Sequence, residues 1–353
     1  MHIPDGYLSP QTCAAAYAVA VPTWAVASNR VSTVVKTRSV PLLAILSALS
    51  FLVMMFNIPI PNGTTAHAMG AVLVAVVLGR WAAVIAVSVA LLFQALLFGD
   101  GGVLAYGANV LNMAIIAPFA GYAAYRLLAG RTPLTSGRRV AAAAIGGYVG
   151  INASALATAI ELGIQPGLFH TASGVPLYSP YHLSQTVPAI MLAHLTVAGV
   201  AEAVLTGGVL AYLARADVTR LVPNHRGIPV TADEAAPHSR RWTPARVAIG
   251  FIAVMVVLTP LGLLAPGGAF GEDAAGDLDV GGLGLAAVPT GLAKYNGFWS
   301  HTLLGGYGFK DGQHQDLGYI LSAVVGITVV ALVIFGVGKL VEHGARRRTA
   351  SQV

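Results

Sequence analysis

The run TAHAMGAVLVAVVLGRWAAVIAVSVALLFQALLF (65–98) contains a single charged side chain, Arg80. A helix needs about 20 mostly apolar residues to cross a bilayer. Arg80 divides the run into two such segments, 65–79 and 81–98, the first of them short. Working outward, further apolar runs lie at 9–28 and 40–58 before it, and at 104–127, 140–163 and 183–214 after it. A polar stretch rich in Arg, Pro and His follows (215–244). An eighth apolar run lies near 245–264 and a ninth near 318–341, with a Gly- and Asp-rich loop, 266–316, between them. The expected fold class is an all-α integral membrane protein.

Composition agrees. Hydrophobic residues make up 56% of the 353 residues and charged residues 10%, where soluble domains carry about 25% charged residues. The net charge of +6 does not point to nucleic acid, because the basic residues sit in short loops with no aromatic-rich basic face. Cys13 is the single cysteine, which excludes an internal disulfide and a cysteine-based zinc or iron–sulfur site. MHIPDGYLSP lacks a basic leader region, so the mature chain is expected to begin at Met1.

The basic residues set the orientation. Arg30, Lys36 and Arg38 follow the first run, Arg80 the third, and Arg126, Arg131, Arg138 and Arg139 flank the loop after the fifth. Arg215, Arg220, Arg226, Arg240, Arg241 and Arg246 follow the seventh, and Lys339 and Arg346 to Arg348 the ninth. The alternate loops 57–64, 99–103 and 164–182 contain no Lys or Arg, and the long loop only Lys294 and Lys310. Eighteen of the twenty basic residues therefore fall on one side. Nine spans are expected, with the N-terminus outside and the C-terminus in the cytoplasm. Asp5, Asp100, Glu272, Asp273, Asp277, Asp279, Asp311 and Asp316 gather on the outer side, as a cation-attracting field or as a solvated loop.

Met1-His2 offers three nitrogens in series: the α-amine, the His2 amide and the nearer nitrogen of the His2 imidazole. They close a five- and a six-membered ring around a metal, and a planar nitrogen set suits Ni(II) or Cu(II). Pro4 has no N–H and supplies no further amide. His67, in NGTTAHAMG (62–70), is the candidate fourth ligand, since an ionisable residue inside a membrane segment suggests function; its rival role is a structural histidine bonded to a carbonyl. Asn62, Gly63, Thr64 and Thr65 form a polar lip before it. In FQALLFGDGGVLAYGANVLNMA (93–114), Gln94, Asn109 and Asn112 are amides within apolar helices. They either orient a ligand histidine or bond neighbouring helices together.

Other polar residues carry alternatives. His170 and His182 read as a metal relay or as scattered loop histidines. His194 and Glu202, eight apart, read as a proton pair or a buried polar pair. His225 and His238 are expected to be solvated in the cytoplasm, and the spacing of His301 and His314 demands no metal. The rival class is a membrane-embedded metal-dependent enzyme, but no HExxH run, Gly-x-Ser-x-Gly elbow or Walker motif is present. A channel would need a continuous polar pore.

Met1-His2-Ile3-Pro4-Asp5-Gly6-Tyr7-Leu8-Ser9-Pro10 resembles the N-terminal signature of the CbiM/NikM family, the substrate-specific components of energy-coupling factor transporters for cobalt and nickel. The resemblance continues through Asn57-Ile58-Pro59, Gly63-Thr64-Thr65-Ala66-His67, Gln94 to Gly102 and Gly107 to Met113, and covers roughly residues 1–215. A Leu pair often follows the family's second histidine; Ala68-Met69 stands here instead. The resemblance implies a seven-helix metal-binding unit with the N-terminus tucked into the bundle. It implies Ni(II) or Co(II) as transported substrate, held by the Met1 amine, the His2 amide and imidazole, and the His67 imidazole. The implied partners are a membrane coupling subunit and cytoplasmic ATPase subunits, in the plasma membrane. The organisation is then a metal-binding unit (1–215), a cytoplasmic linker (216–244) and a two-span region (245–345) resembling the family's small accessory component. Many such fusions carry Pro-Asp-Gly-Leu-Glu; here Val288-Pro289-Thr290-Gly291-Leu292-Ala293-Lys294-Tyr295 takes its place.

Overall fold

The computed structural model describes residues 1–34, 39–60, 64–231, 244–264 and 269–350. Helix α1 (Pro10–Val34) starts where the Ser9 hydroxyl accepts from Thr12 N and Pro10 occupies the first turn, the preferred pairing at a helix start. The nine residues before it are thereby left free to fold inward. After α2 (Val40–Met54) come two short antiparallel strands, β1 (Ile58–Ile60) and β2 (Thr64–Ala66), with Ile58 opposite Ala66. Helices α3 (Ala71–Leu78), α4 (Arg80–Phe93), α5 (Tyr106–Ala129), α6 (Gly137–Gly163) and α7 (Leu183–Ala216) complete the first unit. The second holds α8 (Pro244–Leu258), the short α9 (Thr290–Tyr295) and α10 (Gln315–Ala350).

Among the described residues six helical stretches are long and apolar enough to cross a membrane: Arg80–Phe98, Tyr106–Ala129, Gly137–Leu168, Leu183–Ala216, Arg246–Leu264 and Gln315–Lys339. The other three expected spans differ. α1 is long but less apolar, α2 has 15 residues, and the third span shrinks to the eight residues of α3. Eight residues rise about 12 Å, well short of the bilayer. His67 is therefore not on a helix; it sits on the extended link between β2 and α3. Two features stop the helix there. Gly70 holds a left-handed φ of 67°, costless only for glycine. The Glu202 carboxylate accepts from Met69 N (2.8 Å) and Gly70 N (3.0 Å), while Ser50 Oγ donates to Met69 O. Irregular backbone survives at membrane depth only when protein satisfies its polar groups, and here α2 and α7 do so.

All of α3 is buried, forming the axis of the bundle. α5 and α6 close against it where a methyl on Gly121 or Gly146 would strike backbone of the other helix, the small-residue packing of membrane interfaces. α10 lies along α2, with Gly326 under the Phe51 ring. The chain between α8 and α10 turns back over the N-terminal segment. Leu303 N and Leu304 N donate to Leu97 O, Trp299 Nε1 to Leu96 O, and Gly291 N and Leu292 N to Leu177 O.

His225 departs from expectation. It is buried: its Nδ1 donates to Leu221 O, and its Nε2 accepts from the Tyr125 hydroxyl at 2.8 Å, which in turn accepts from Arg139. Burial lowers its imidazole to about 4, so it stays neutral. The turn after α7 (218–228) folds back onto the bundle, which hydropathy alone does not reveal. Asn62, Gly63, His238, Arg240 and Arg241 lie outside the described residues.

Candidate metal centre

The first nine residues form a largely buried segment, turning at Asp5-Gly6, that is pinned from both sides. Asn109 brackets Ile3, accepting from its N–H (2.8 Å) and donating to its carbonyl (3.1 Å), and Gly102 N donates to Ile3 O. The Asp5 carboxylate accepts from Val103 N and Ala105 N, both at 3.0 Å. Burial pushes the Asp5 carboxyl up, and those backbone donors pull it back. Ser179 N donates to Tyr7 O and Ser9 N to Gln165 Oε1. Gly102 is obligatory here, since a β-carbon would land on the Asp5 carboxylate and amide.

This anchoring brings Met1, His2 and His67 together, each at most 5% exposed. The Met1 amine lies 3.5 Å from His67 Nε2. His67 Nδ1 donates to Ala68 O at 3.0 Å, leaving the Nε2 lone pair toward the amine. The His2 and His67 rings stack, with centroids 5.0 Å apart. His2 Nδ1 lies 3.1 Å from Asp100 Oδ1, and its Nε2 lies 3.2 Å from Gln94 Oε1. Among the described residues no three His, Cys, Asp or Glu side chains converge as a metal-binding group. A cation held here takes main-chain nitrogens as well.

The three amides play three parts. Gln94 touches the His2 ring. Asn109 holds the backbone of the next residue. Asn112 contacts neither histidine: it donates to Thr158 Oγ1 and Glu161 Oε2 on α6, as helix-to-helix glue. Gln94 begins one π-turn (Gln94–Phe98) and Asn112 lies in another (Val110–Ile116); such turns recur at functional sites.

Several participants escape sequence reading. Glu272, on the chain between α8 and α10, pairs with the Met1 amine at 2.5 Å. Tyr307, from the same segment, donates to Asp100 Oδ2 at 2.5 Å and accepts from Gln94 Nε2 at 3.0 Å. Burial beside Asp100 pushes the Tyr307 hydroxyl well above its ordinary range, so it remains a donor. Their only advance signal is membership of the outer acidic cluster, for Glu272. Exposed His170, His182, His301 and His314 lie apart; His182 caps α7. His194 and Glu202 are both buried but bond separately, to Ile190 O and to the α3 N-terminus.

Six membrane-crossing helices around a buried cluster of amine and imidazole nitrogens define a multi-pass membrane protein with a candidate transition-metal site. Residues 2–219 match the family model described as the cobalt uptake substrate-specific transmembrane region, CbiM, and residues 245–343 match the PDGLE domain. The chain belongs to the CbiM family, with a PDGLE domain fused behind it. It is 46% identical over 350 residues, 96% of each chain, to the fused nickel transport protein NikMN of Rhodobacter capsulatus. It is 44% identical, over 95% of this chain and 97% of the relative, to the probable fused nickel transport protein LarMN of Lactiplantibacillus plantarum. A crystal structure described as a truncated transition metal transporter aligns with TM-score 0.57 and 61% identity, covering 60% of this chain and 98% of that one. The PDGLE match holds although the five-residue motif is replaced.

Proposed function

We propose that the chain is the substrate-binding membrane component of an ATP-driven importer of Ni(II) or Co(II). The single observation that carries this reading is the convergence of the Met1 amine, His2 and His67 in one buried place. The family, and relatives named as nickel transport proteins, support transport over the enzyme alternative.

The donor set fits the cargo. Adjacent nitrogens about 2 Å from one ion stand about 3 Å apart, and opposite ones about 4 Å. Met1 N and His67 Nε2, at 3.5 Å, need move only a few tenths of an ångström. Three steps of the chain's own chemistry follow. The Met1 ammonium gives up its proton and its pairing with Glu272. His2 Nδ1 exchanges Asp100 for the ion, closing the six-membered ring, while Gln94 keeps Nε2 in place. The His2 amide loses its proton, which favours a metal high in the Irving–Williams order and hence Ni(II) over Co(II). Inward release, driven by ATPase subunits through a membrane coupling subunit, follows from the family resemblance, with the N-terminus outside and the C-terminus cytoplasmic.

Calorimetric titration with Ni(II) and Co(II), beside a variant carrying one extra residue before Met1, tests the reading. One-to-one nickel binding that the extension abolishes is expected. Equal binding by both forms removes the amine from the site and overturns it.

A further inference from the structure

Three buried histidines outside the N-terminal segment present one pattern: Nδ1 donates to a backbone carbonyl, which leaves Nε2 as a bare lone pair. In His225 that lone pair is satisfied by the Tyr125 hydroxyl, and in His67 it faces the Met1 amine. His194 is the exception. Its Nδ1 donates to Ile190 O at 2.7 Å, but its buried Nε2 has no hydrogen-bond partner, and the residue is 4% exposed. A buried acceptor without a partner is destabilising, so its persistence calls for a use. A ring nitrogen tied to a carbonyl with the other left bare is also the usual arrangement of a metal-ligating histidine.

Its surroundings supply the use. His194 lines a small cavity of about 20 Å³, partly open to solvent, whose wall also includes Met1, His2, Thr158 and Glu272. Glu272 is the partly exposed member, at 22%, and its carboxylate already rests on the Met1 amine. An imidazole lone pair and a carboxylate are both donors for a first-row divalent cation. α7 also carries its π-turn (His194–Ala198) beginning at His194, as α4 is continued by one beginning at Gln94.

We propose that His194 and Glu272 form an antechamber: a transit site that takes a divalent transition-metal ion from solvent before it passes to the N-terminal chelate. In the transit step only metal–ligand bonds form or break, and the Met1 ammonium releases one proton to solvent before it ligates. Glu272 exchanges the Met1 amine for the ion, His194 Nε2 supplies the second donor, and the freed amine stands on the same cavity wall to receive the ion. The inference rests on the Met1–His2–His67 reading.

Stopped-flow loading of the full chain with Ni(II), followed by release to an excess of chelator, tests it on wild type, His194→Gln and Glu272→Gln. A residue on the path slows loading and release together; about tenfold is expected for each of these variants, the scale of a lost metal-site contact. If His194→Gln does not fold, judged by its thermal melt, Glu272→Gln carries the test. Variant rates equal to wild type overturn the antechamber while leaving the chelate standing. Faster release with unchanged loading also overturns it, making His194 a resident ligand. A wild type that shows no saturable one-to-one loading overturns the chelate, and the antechamber with it.

Discussion

Replacing Gln94 with Met keeps the length of the side chain and removes both of its polar atoms. In the structure Gln94 is fully buried and joins three groups: it accepts from His2 Nε2 at 3.2 Å and donates to Tyr307 at 3.0 Å and Asp100 at 3.4 Å. The variant leaves a buried N–H without an acceptor, at roughly 1–3 kcal/mol. That cost bears on affinity only as far as the bond is stronger in the metal-bound state. It is stronger, because an ion on Nδ1 draws charge from the ring and makes the Nε2–H a better donor. Lost contacts of this kind weaken metal binding about 10–100-fold, or roughly 1.4–2.7 kcal/mol at 1.36 kcal/mol per decade. The assay is calorimetric titration with Ni(II). Asn112→Ala is the comparison, since Asn112 bonds only Thr158 and Glu161; it should lower the melting temperature with little effect on affinity. Nickel affinity within threefold of wild type in Gln94→Met, or an equal loss in Asn112→Ala, refutes the assignment of Gln94 to the His2 ring.

Glu202→Ala removes the acceptor for Met69 N and Gly70 N; a buried N–H left without an acceptor costs roughly 1–3 kcal/mol, so a drop of that order in unfolding free energy is expected by denaturant melting, with weaker nickel binding as the His67 link loosens. Gly102→Ala drives a methyl into Asp5 and displaces the N-terminal segment; a loss of at least about tenfold in nickel affinity is expected, and unchanged affinity would show that the segment is not held by this contact. Binding should weaken as pH falls, because amine, amide and imidazoles must be deprotonated to ligate. The ligating amide gives up a whole proton, so titrations in buffers of different ionisation enthalpy should show at least one proton released per nickel. A value near zero removes the amide from the ligand set.

What could be read in the sequence was set by covalent distance. Met1 and His2 are chelate partners because they are neighbours, so their chemistry needs no fold. Apolar run length and the basic residues of the loops likewise report on the bilayer directly. The third span misled because hydropathy measures burial and not conformation. Residues 67–78 are uniformly buried, but Gly70 and the Glu202 carboxylate end the helix at Ala71. Glu202 is distant in sequence, and its periodicity on α7 gives no hint that it terminates another helix. His225 misled for the opposite reason: a polar, basic stretch reads as solvated, yet Tyr125 and Arg139 provide partners that let a neutral imidazole be buried. Glu272 and Tyr307 were unreadable in principle, since they meet Met1 and Asp100 across 271 and 207 positions of chain. Their placement gives the fused domain a physical role that hydropathy assigns to a solvated loop. It supplies the carboxylate on the amine and the hydroxyl on Asp100, so the polarity of the site is set jointly by both units. Its replaced five-residue motif does not bear on this, because Leu292 of that segment packs against Gly6 while the polar contacts come from residues before and after it.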